Sequence, residues 1–402
     1  MAVHGTCDQR FQDVRQEFER NFQERDEVGA SVCVAVGGHT VVDLWGGLAN
    51  KRTDAPWTEE TVSIVFSSTK GATAICAHIL ASRGELDLDA PVAKYWPEFG
   101  QSGKENIPVK MLLNHQAGLP AVRETLPQGA YADWDLVVNA LAKEEPFWEP
   151  GTRNGYHALT FGWLNGEVVR RVSGKSLGTF FKDEIAQPLG LDFWIGLPED
   201  KESRVAPMIP AKPDPARRLF QELAKPGTIQ ALTMGNMGGY MGPPPMFDSR
   251  AAHAAEIGGA GGVTNARGLA GMYEPLALGG KKGNVELVNS ETLARMGCVS
   301  SATGEDAVLI MPTRFALGFM KTMDNRKEPA GVQDSVLISE EAFGHVGAGG
   351  SFGFADPKAG MSFGYTMNKM GPGLSLNERG QSLVDAVYRA LGYQSDASGT
   401  WR

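Results

Sequence analysis

Strand-like segments stand at both ends of this 402-residue chain with a long helical stretch between them, and that placement limits the fold more than any single motif. Near the N-terminus, residues 30–36 and 40–45 are β-rich and hinge at Gly37-Gly38, the pattern of a hairpin. Strand patterning returns at 315–321, 335–338, 350–355 and 361–368. Strands so far apart in sequence bury their apolar faces by joining. The expected fold is therefore an α/β (α+β) architecture, with one antiparallel sheet formed by both termini and flanked by helices, plus a mostly helical insertion. Residues 1–85 and 286–402 are assigned to a discontinuous α/β domain and 86–285 to the helical domain, with the active site between them.

Helical spacing supports this layout. Phe11, Val14, Phe18 and Phe22 recur at steps of three and four, an apolar stripe facing a core, and Leu383, Val384, Val387 and Leu391 do the same in 381–391. Residues 72–81 form an apolar helix stopped by Gly84. In the middle of the chain, 159–172 and 177–185 read as helices and 234–246 as a loop of Gly, Met and Pro.

Hydrophobic residues make up 42% of the chain and charged ones 21%, a balance that indicates a packed globular protein. A formal charge of -9 with no basic run gives no footprint for nucleic acid or anionic membrane, so a small-molecule substrate is the expectation. The first ten residues lack a basic segment followed by an apolar stretch, and no run is long and apolar enough to span a bilayer, so residence in the cytoplasm is expected. Cys7, Cys33, Cys76 and Cys298 are widely spaced, which favours buried free thiols over disulfides or a zinc site. Nothing in the sequence speaks to oligomeric state.

The chemistry centres on Ser67-Ser68-Thr69-Lys70 at a helix start. Residues at i and i+3 share a helix face, so Ser67 and Lys70 point into one pocket, unless the segment is only a polar helix start. A serine hydroxyl becomes a nucleophile when a base takes its proton, and a lysine serves if burial or a nearby cation keeps it neutral. Two later segments add to the pattern. Residues 150–157, Pro-Gly-Thr-Arg-Asn-Gly-Tyr-His, present Tyr156 where a loop enters a helix, and residues 343–350, Phe-Gly-His-Val-Gly-Ala-Gly-Gly, form a glycine-rich strand that a ligand can approach closely.

With Ser67 to Lys70, Tyr156 to Ala158 and His345 to Gly347 in this order, the chain resembles the serine β-lactamase-like superfamily. Class C β-lactamases, D-Ala-D-Ala peptidases and family VIII carboxylesterases share that fold. Residues 84–92, 112–120 and 259–267 are similar to its linking segments and spread the match over most of the chain. The resemblance implies that Ser67 is the nucleophile, that Lys70 and Tyr156 share the proton work, and that the N–H groups of Ser67 and Ala348 hold the oxyanion. It gives His345 and Gly347 to substrate binding, with Gly347 clearing space for the acyl group. Whether a neutral lysine or a tyrosinate is the base stays open. No cofactor and no metal is expected, and the partner is a small ester.

Two departures bear on substrate. Ala158 replaces the asparagine common in β-lactamases and cannot bond a substrate amide, and His345 replaces a lysine. Both favour neutral, short-chain or compact carboxylic esters over anionic β-lactams. The alternatives are a β-lactamase or D-Ala-D-Ala peptidase, an acyltransferase, and a non-catalytic penicillin-binding sensor. Residues 349–353 also fit Gly-x-Ser-x-Gly, but a strand and not a helix is expected after Ser351, which argues against a second nucleophile there. His115 and His157 read as structural histidines or neighbours of the site. Met234, Met237, Tyr240, Met241 and Met246 read as an apolar lid or an ordinary surface loop.

Overall fold

A computed structural model of the chain describes residues 2–212, 214–242 and 245–402; residues 243 and 244 of the expected 234–246 loop lie outside the described residues. Its largest sheet has seven strands: β1 (Val3–Cys7), β2 (Gly29–Val36), β3 (His39–Asn50), β4 (Ala55–Pro56), β5 (Phe343–Val346), β6 (Phe352–Asp356) and β7 (Met361–Met367). The order is β1-β3-β2-β7-β6-β5, with β4 on β3, and each pair is antiparallel. The junction is β2 with β7, in register from Ala30 opposite Met367 to Val36 opposite Met361. The two ends of the chain thus share one sheet, as expected.

The period-2 alternation of β6 and β7 decides which helix covers which face. Phe352, Phe354, Phe363 and Tyr365 point one way. Their rings stack, and Phe354 meets Tyr388 of the C-terminal helix Glu378–Leu391, with ring centroids 6.3 Å apart. That helix lies against α1 (Gln12–Glu24), whose Val14 and Phe18 are buried. The other face carries Gly353 and Gly364, where a methyl group would sit 2.9 Å from the Tyr273 ring and 2.2 Å from the Ala266 carbonyl oxygen. The helix Ala266–Ala277 therefore lies directly on the sheet. The sequence reading gave these residues to the helical insertion; the glycines that seat them are far away in β6 and β7, so their own sequence carries no sign of it.

The second buried helix is α2 (Thr69–Ser82), in which every residue from Thr69 to Leu80 is buried. It packs between β5 at the sheet edge and α3 (Thr160–Ser173) of the helical layer. A helix wrapped on all sides has no solvent face, so its polar residues Thr69, Lys70, Thr73 and His78 must find partners inside.

Several expected elements take other forms. The strand Thr313–Phe315 stops where 315–321 was expected to run on, because Ala316 N–H bonds the Phe319 carbonyl (2.8 Å) and Gly318 turns at φ +91°. Residues 335–338 contribute only a bridge, Val336 with Met323, and the next residue, Ser339, bridges Trp401. The 177–185 helix is Leu177–Phe181 followed by a π-helical turn, Lys182–Ala186. The 234–246 loop begins inside the helix Ile229–Gly235, capped by Thr228. All four cysteines are free, but only Cys33 and Cys76 are buried, while Cys298 is exposed. No helix among the described residues is long and apolar enough to cross a membrane.

Candidate active site

The strand Ser63–Ile64 pairs with Gly262–Thr264, and the Val65 N–H extends that ladder to the Gly262 carbonyl at 2.9 Å. The next residue, Phe66, has φ +43°, unusual for a bulky side chain. Its ring is held edge-on against Phe247, 5.0 Å between centroids. Strain of this kind persists where surrounding contacts over-determine it. A 3-10 turn, Phe66–Ser68, then enters α2 and leaves Ser67 at the wall of a narrow cleft. Thr69 locks the turn: its hydroxyl donates to the Phe66 carbonyl and accepts from the Gly262 N–H at 2.8 Å.

One helical turn on, Lys70 is fully buried. Its Nζ lies 3.0 Å from Ser67 Oγ, 2.6 Å from the Ala158 carbonyl and 2.7 Å from the Gly259 carbonyl. Burial, with no carboxylate opposing it, pushes its pKa well below the usual lysine range. A neutral amine has two hydrogens and one lone pair. The two carbonyls can only accept, so they take the hydrogens, and the lone pair is left facing the Ser67 hydroxyl. This partner set suits a lysine that receives a proton from serine.

Tyr156 stands across the cleft, with Lys70 Nζ 4.7 Å from its ring centre. Burial raises its pKa and the Ser67 hydroxyl offsets part of that, so the phenol is protonated at neutral pH. Its main chain is tied down by Asp306, 150 residues away, whose Oδ1 accepts from the N–H groups of Tyr156 (3.0 Å), Val308 (2.9 Å) and Leu309 (2.9 Å). Around the ring lie three buried histidines. His115 is 4.8 Å from it and His345 6.0 Å, between centroids, while His157 takes the Leu119 N–H on Nε2 and approaches the Gly155 carbonyl with Nδ1. Burial lowers all three pKa values, His157 to about 4 and His345 to about 3, so all are neutral.

The residues expected to bind substrate divide. The N–H groups of Ser67 and Ala348 donate to no acceptor among the described residues, and both residues border the cleft. His345 and Gly347 do not border it. His345 is buried behind Tyr156, with Nδ1 2.8 Å from the Val346 carbonyl. A methyl group on Gly347 would sit 2.1 Å from the Val65 carbonyl oxygen, so this glycine lets two backbones meet and does not clear space for an acyl group. The turn they start is braced on both sides. Ser351 Oγ donates to the Val65 carbonyl at 2.9 Å, and the Asn377 side chain donates to the Gly349 carbonyl at 2.7 Å.

The cleft walls are otherwise apolar: Phe66, Ala158, Leu159, Met234, Met241, Ala260, Leu309, Met320 and Leu374 join Ser67, Tyr156 and Ala348. Of the five lid candidates, Met234 and Met241 reach it, while Met237 and Tyr240 are fully buried and Tyr240 donates to the Ala260 carbonyl at 3.0 Å. Roomier grooves near Arg314 and near Tyr393 touch none of these residues and carry no comparable chemistry. Sequence reasoning missed the Ala158 and Gly259 carbonyls, Asp306, Leu309 and Leu374. Carbonyls have no residue signature, although the glycine cluster at 258–262 marked a backbone meant for close approach.

A family model described as Beta-lactamase matches residues 15–388. The chain is 34% identical over 385 residues to the esterase/β-lactamase LipL of Mycobacterium tuberculosis (strain ATCC 25618 / H37Rv), covering 92% of this chain and 83% of that protein. Among solved structures, a family VIII carboxylesterase aligns with TM-score 0.85 and 38% identity over 97% of this chain and 100% of that one. A penicillin-binding protein homologue from Caulobacter crescentus aligns with TM-score 0.83 and 34% identity over 97% and 100%.

Proposed function

This chain belongs to the β-lactamase family and is a serine hydrolase, and from that premise we propose that it hydrolyses short-chain or compact carboxylic esters through an acyl-enzyme on Ser67. One observation carries the reading: the buried Lys70 amine spends two contacts on carbonyls and its third on Ser67 Oγ.

Lys70 then acts as the base. Ser67 Oγ attacks the ester carbonyl carbon as its proton passes to Lys70 Nζ, and the carbonyl oxygen, now negative, takes the free N–H groups of Ser67 and Ala348. Collapse breaks the bond to the alcohol oxygen. The Tyr156 hydroxyl protonates that oxygen and is reprotonated by the Lys70 ammonium beside its ring. A water molecule then attacks the acyl-enzyme, gives its proton to Lys70 and releases the acid, with Ser67 taking its proton back.

The cleft supports esters over β-lactams. Ala158 lines it with a methyl group where an amide-bearing substrate needs a polar partner, and His345, neutral and buried behind Tyr156, offers no charge to a carboxylate. Nothing in the walls rewards an anion. β-Lactam hydrolysis, which the relative's name also carries, is the second reading because the acylation groups are the same. Residence in the cytoplasm belongs to this proposal and is tested by cell fractionation.

The test is turnover of a chromogenic acetate ester and a chromogenic cephalosporin by wild type and Ser67→Ala. The expected result is ester turnover that exceeds cephalosporin turnover and vanishes in the variant. Equal ester rates in both proteins exclude Ser67. A single burst of acylation followed by arrest means a sensor.

A further inference from the structure

The cleft beside Ser67 is narrow, with only about 30 Å³ of space that a water molecule's centre can occupy. Next to it lies a second small cavity of about 10 Å³, walled by Leu219, Phe220, Met311 and Gly331 and bordered by the Arg217–Asp334 ion pair, which packs against Gly373. Two side chains border both spaces, Leu309 and Leu374. They form the partition between the reacting serine and an apolar chamber that no step of ester hydrolysis uses.

The two halves of the partition are held differently. Leu309 is anchored, because its N–H bonds the same Asp306 oxygen that fixes Tyr156, and the side chain is 4% exposed. Leu374 is half-buried on the loop Gly371-Pro372-Gly373, in which Gly373 has φ +88° and neither Gly373 nor Leu374 belongs to a helix or strand. The loop is tied to Gly349, so what is left to turn is the Leu374 side chain, and it faces an anchored Leu309.

We propose that Leu374, closing against Leu309, sets the acyl-chain limit of this enzyme, and that the chamber beyond it receives the end of a longer aliphatic acyl chain when the gate opens. The chamber accepts only a linear apolar chain, since its side walls are leucine, phenylalanine and methionine, and the ion pair beside Gly373 sets a second limit. Both limits act on the acyl side of the substrate class given above and rest on Ser67 as the acylated residue.

The experiment varies chain length with the leaving group held constant. A series of p-nitrophenyl alkylphosphonates, from methyl to octyl, is reacted with wild type, Leu374→Ala and Leu374→Phe, and the rate of Ser67 modification is followed by intact mass. One methylene more or less in a hydrophobic pocket is worth roughly 10–200-fold in discrimination. Leu374→Ala is therefore expected to raise the octyl-to-methyl rate ratio about ten-fold or more, and Leu374→Phe to lower it. Ratios unchanged from wild type in both variants overturn the gate. Because the phosphonate needs no turnover, this result is separate from the ester reading, which fails instead if Ser67 is labelled but p-nitrophenyl acetate is not hydrolysed. If Ser67 is never labelled, both fall.

Discussion

Two serines meet at this site in opposite roles. Ser67 opens onto the cleft with a buried amine 3.0 Å from its oxygen. Ser351, in a segment that matches Gly-x-Ser-x-Gly, is fully buried, donates to the Val65 carbonyl and lies 3.3 Å from Ser68 Oγ. Either spacing alone suggests a nucleophile. What separates them is the partner of the hydroxyl: a basic nitrogen for Ser67, a carbonyl for Ser351. A serine that already donates to a carbonyl has no base to give its proton to. Ser351 instead ties the oxyanion turn to the residue just before Phe66, so it serves Ser67 as a brace.

The contrast is most exposed to direct replacement. Ser67→Ala is expected to lower kcat/KM for a chromogenic ester by about 10⁴-fold or more, against a few-fold for Ser351→Ala, both read from initial rates. Comparable losses would erase the distinction. Next in size is the amine. Lys70→Met is expected to cost about 10³-fold in kcat, while Lys104→Met leaves kcat within about two-fold. Lys104 is also buried and also donates to two carbonyls, those of Gln101 and Glu144, but it has nearby carboxylates on Glu144, Glu105 and Glu145 that favour its charge, and no serine.

The pH profile sharpens the point. In the proposed mechanism Lys70 is a neutral base whose pKa burial holds low, so kcat/KM should rise with pH through that pKa and then level off. Tyr156, held protonated by burial, should add no loss below about pH 10. A decline with rising pH through that same pKa would mean that the ammonium form is needed, and would hand the base role to Tyr156. The smallest effect belongs to Ser351 as a brace. Ser351→Ala leaves the Val65 carbonyl short of a donor and is expected to lower unfolding free energy by about 1–2 kcal/mol in denaturant titration. If stability is untouched, the turn is held by Asn377 and its backbone bonds without the Ser351 hydroxyl.

Local pairs were legible in the sequence. Ser67 and Lys70 lie one helical turn apart, and the hairpin at Gly37-Gly38 and the stripes of α1 and the C-terminal helix follow from spacing within a few residues. What stayed hidden acts across the chain. Lys70 is tuned by the carbonyls of Ala158 and Gly259, which any residue type could supply, and Tyr156 is fixed by Asp306, an acid on a loop with no periodic pattern. His345 has a family place but not the substrate contact expected of it, because burial behind Tyr156 is a property of packing. The helix Ala266–Ala277 went to the wrong layer for the same reason.

Asp306 has a consequence for how this enzyme can diverge. One carboxylate oxygen holds the backbone of both Tyr156 and Leu309, the fixed side of the cleft. Heritable changes that shift that loop to admit new substrates will also detune reactivity, so the two traits are inherited together. The Leu374 loop is tied to the oxyanion turn through Gly349 and not to Asp306, so only a change of the Leu374 side chain that leaves the loop in place escapes that pleiotropy. Lineages that change diet while keeping rate should therefore vary at Leu374 and hold Asp306 constant.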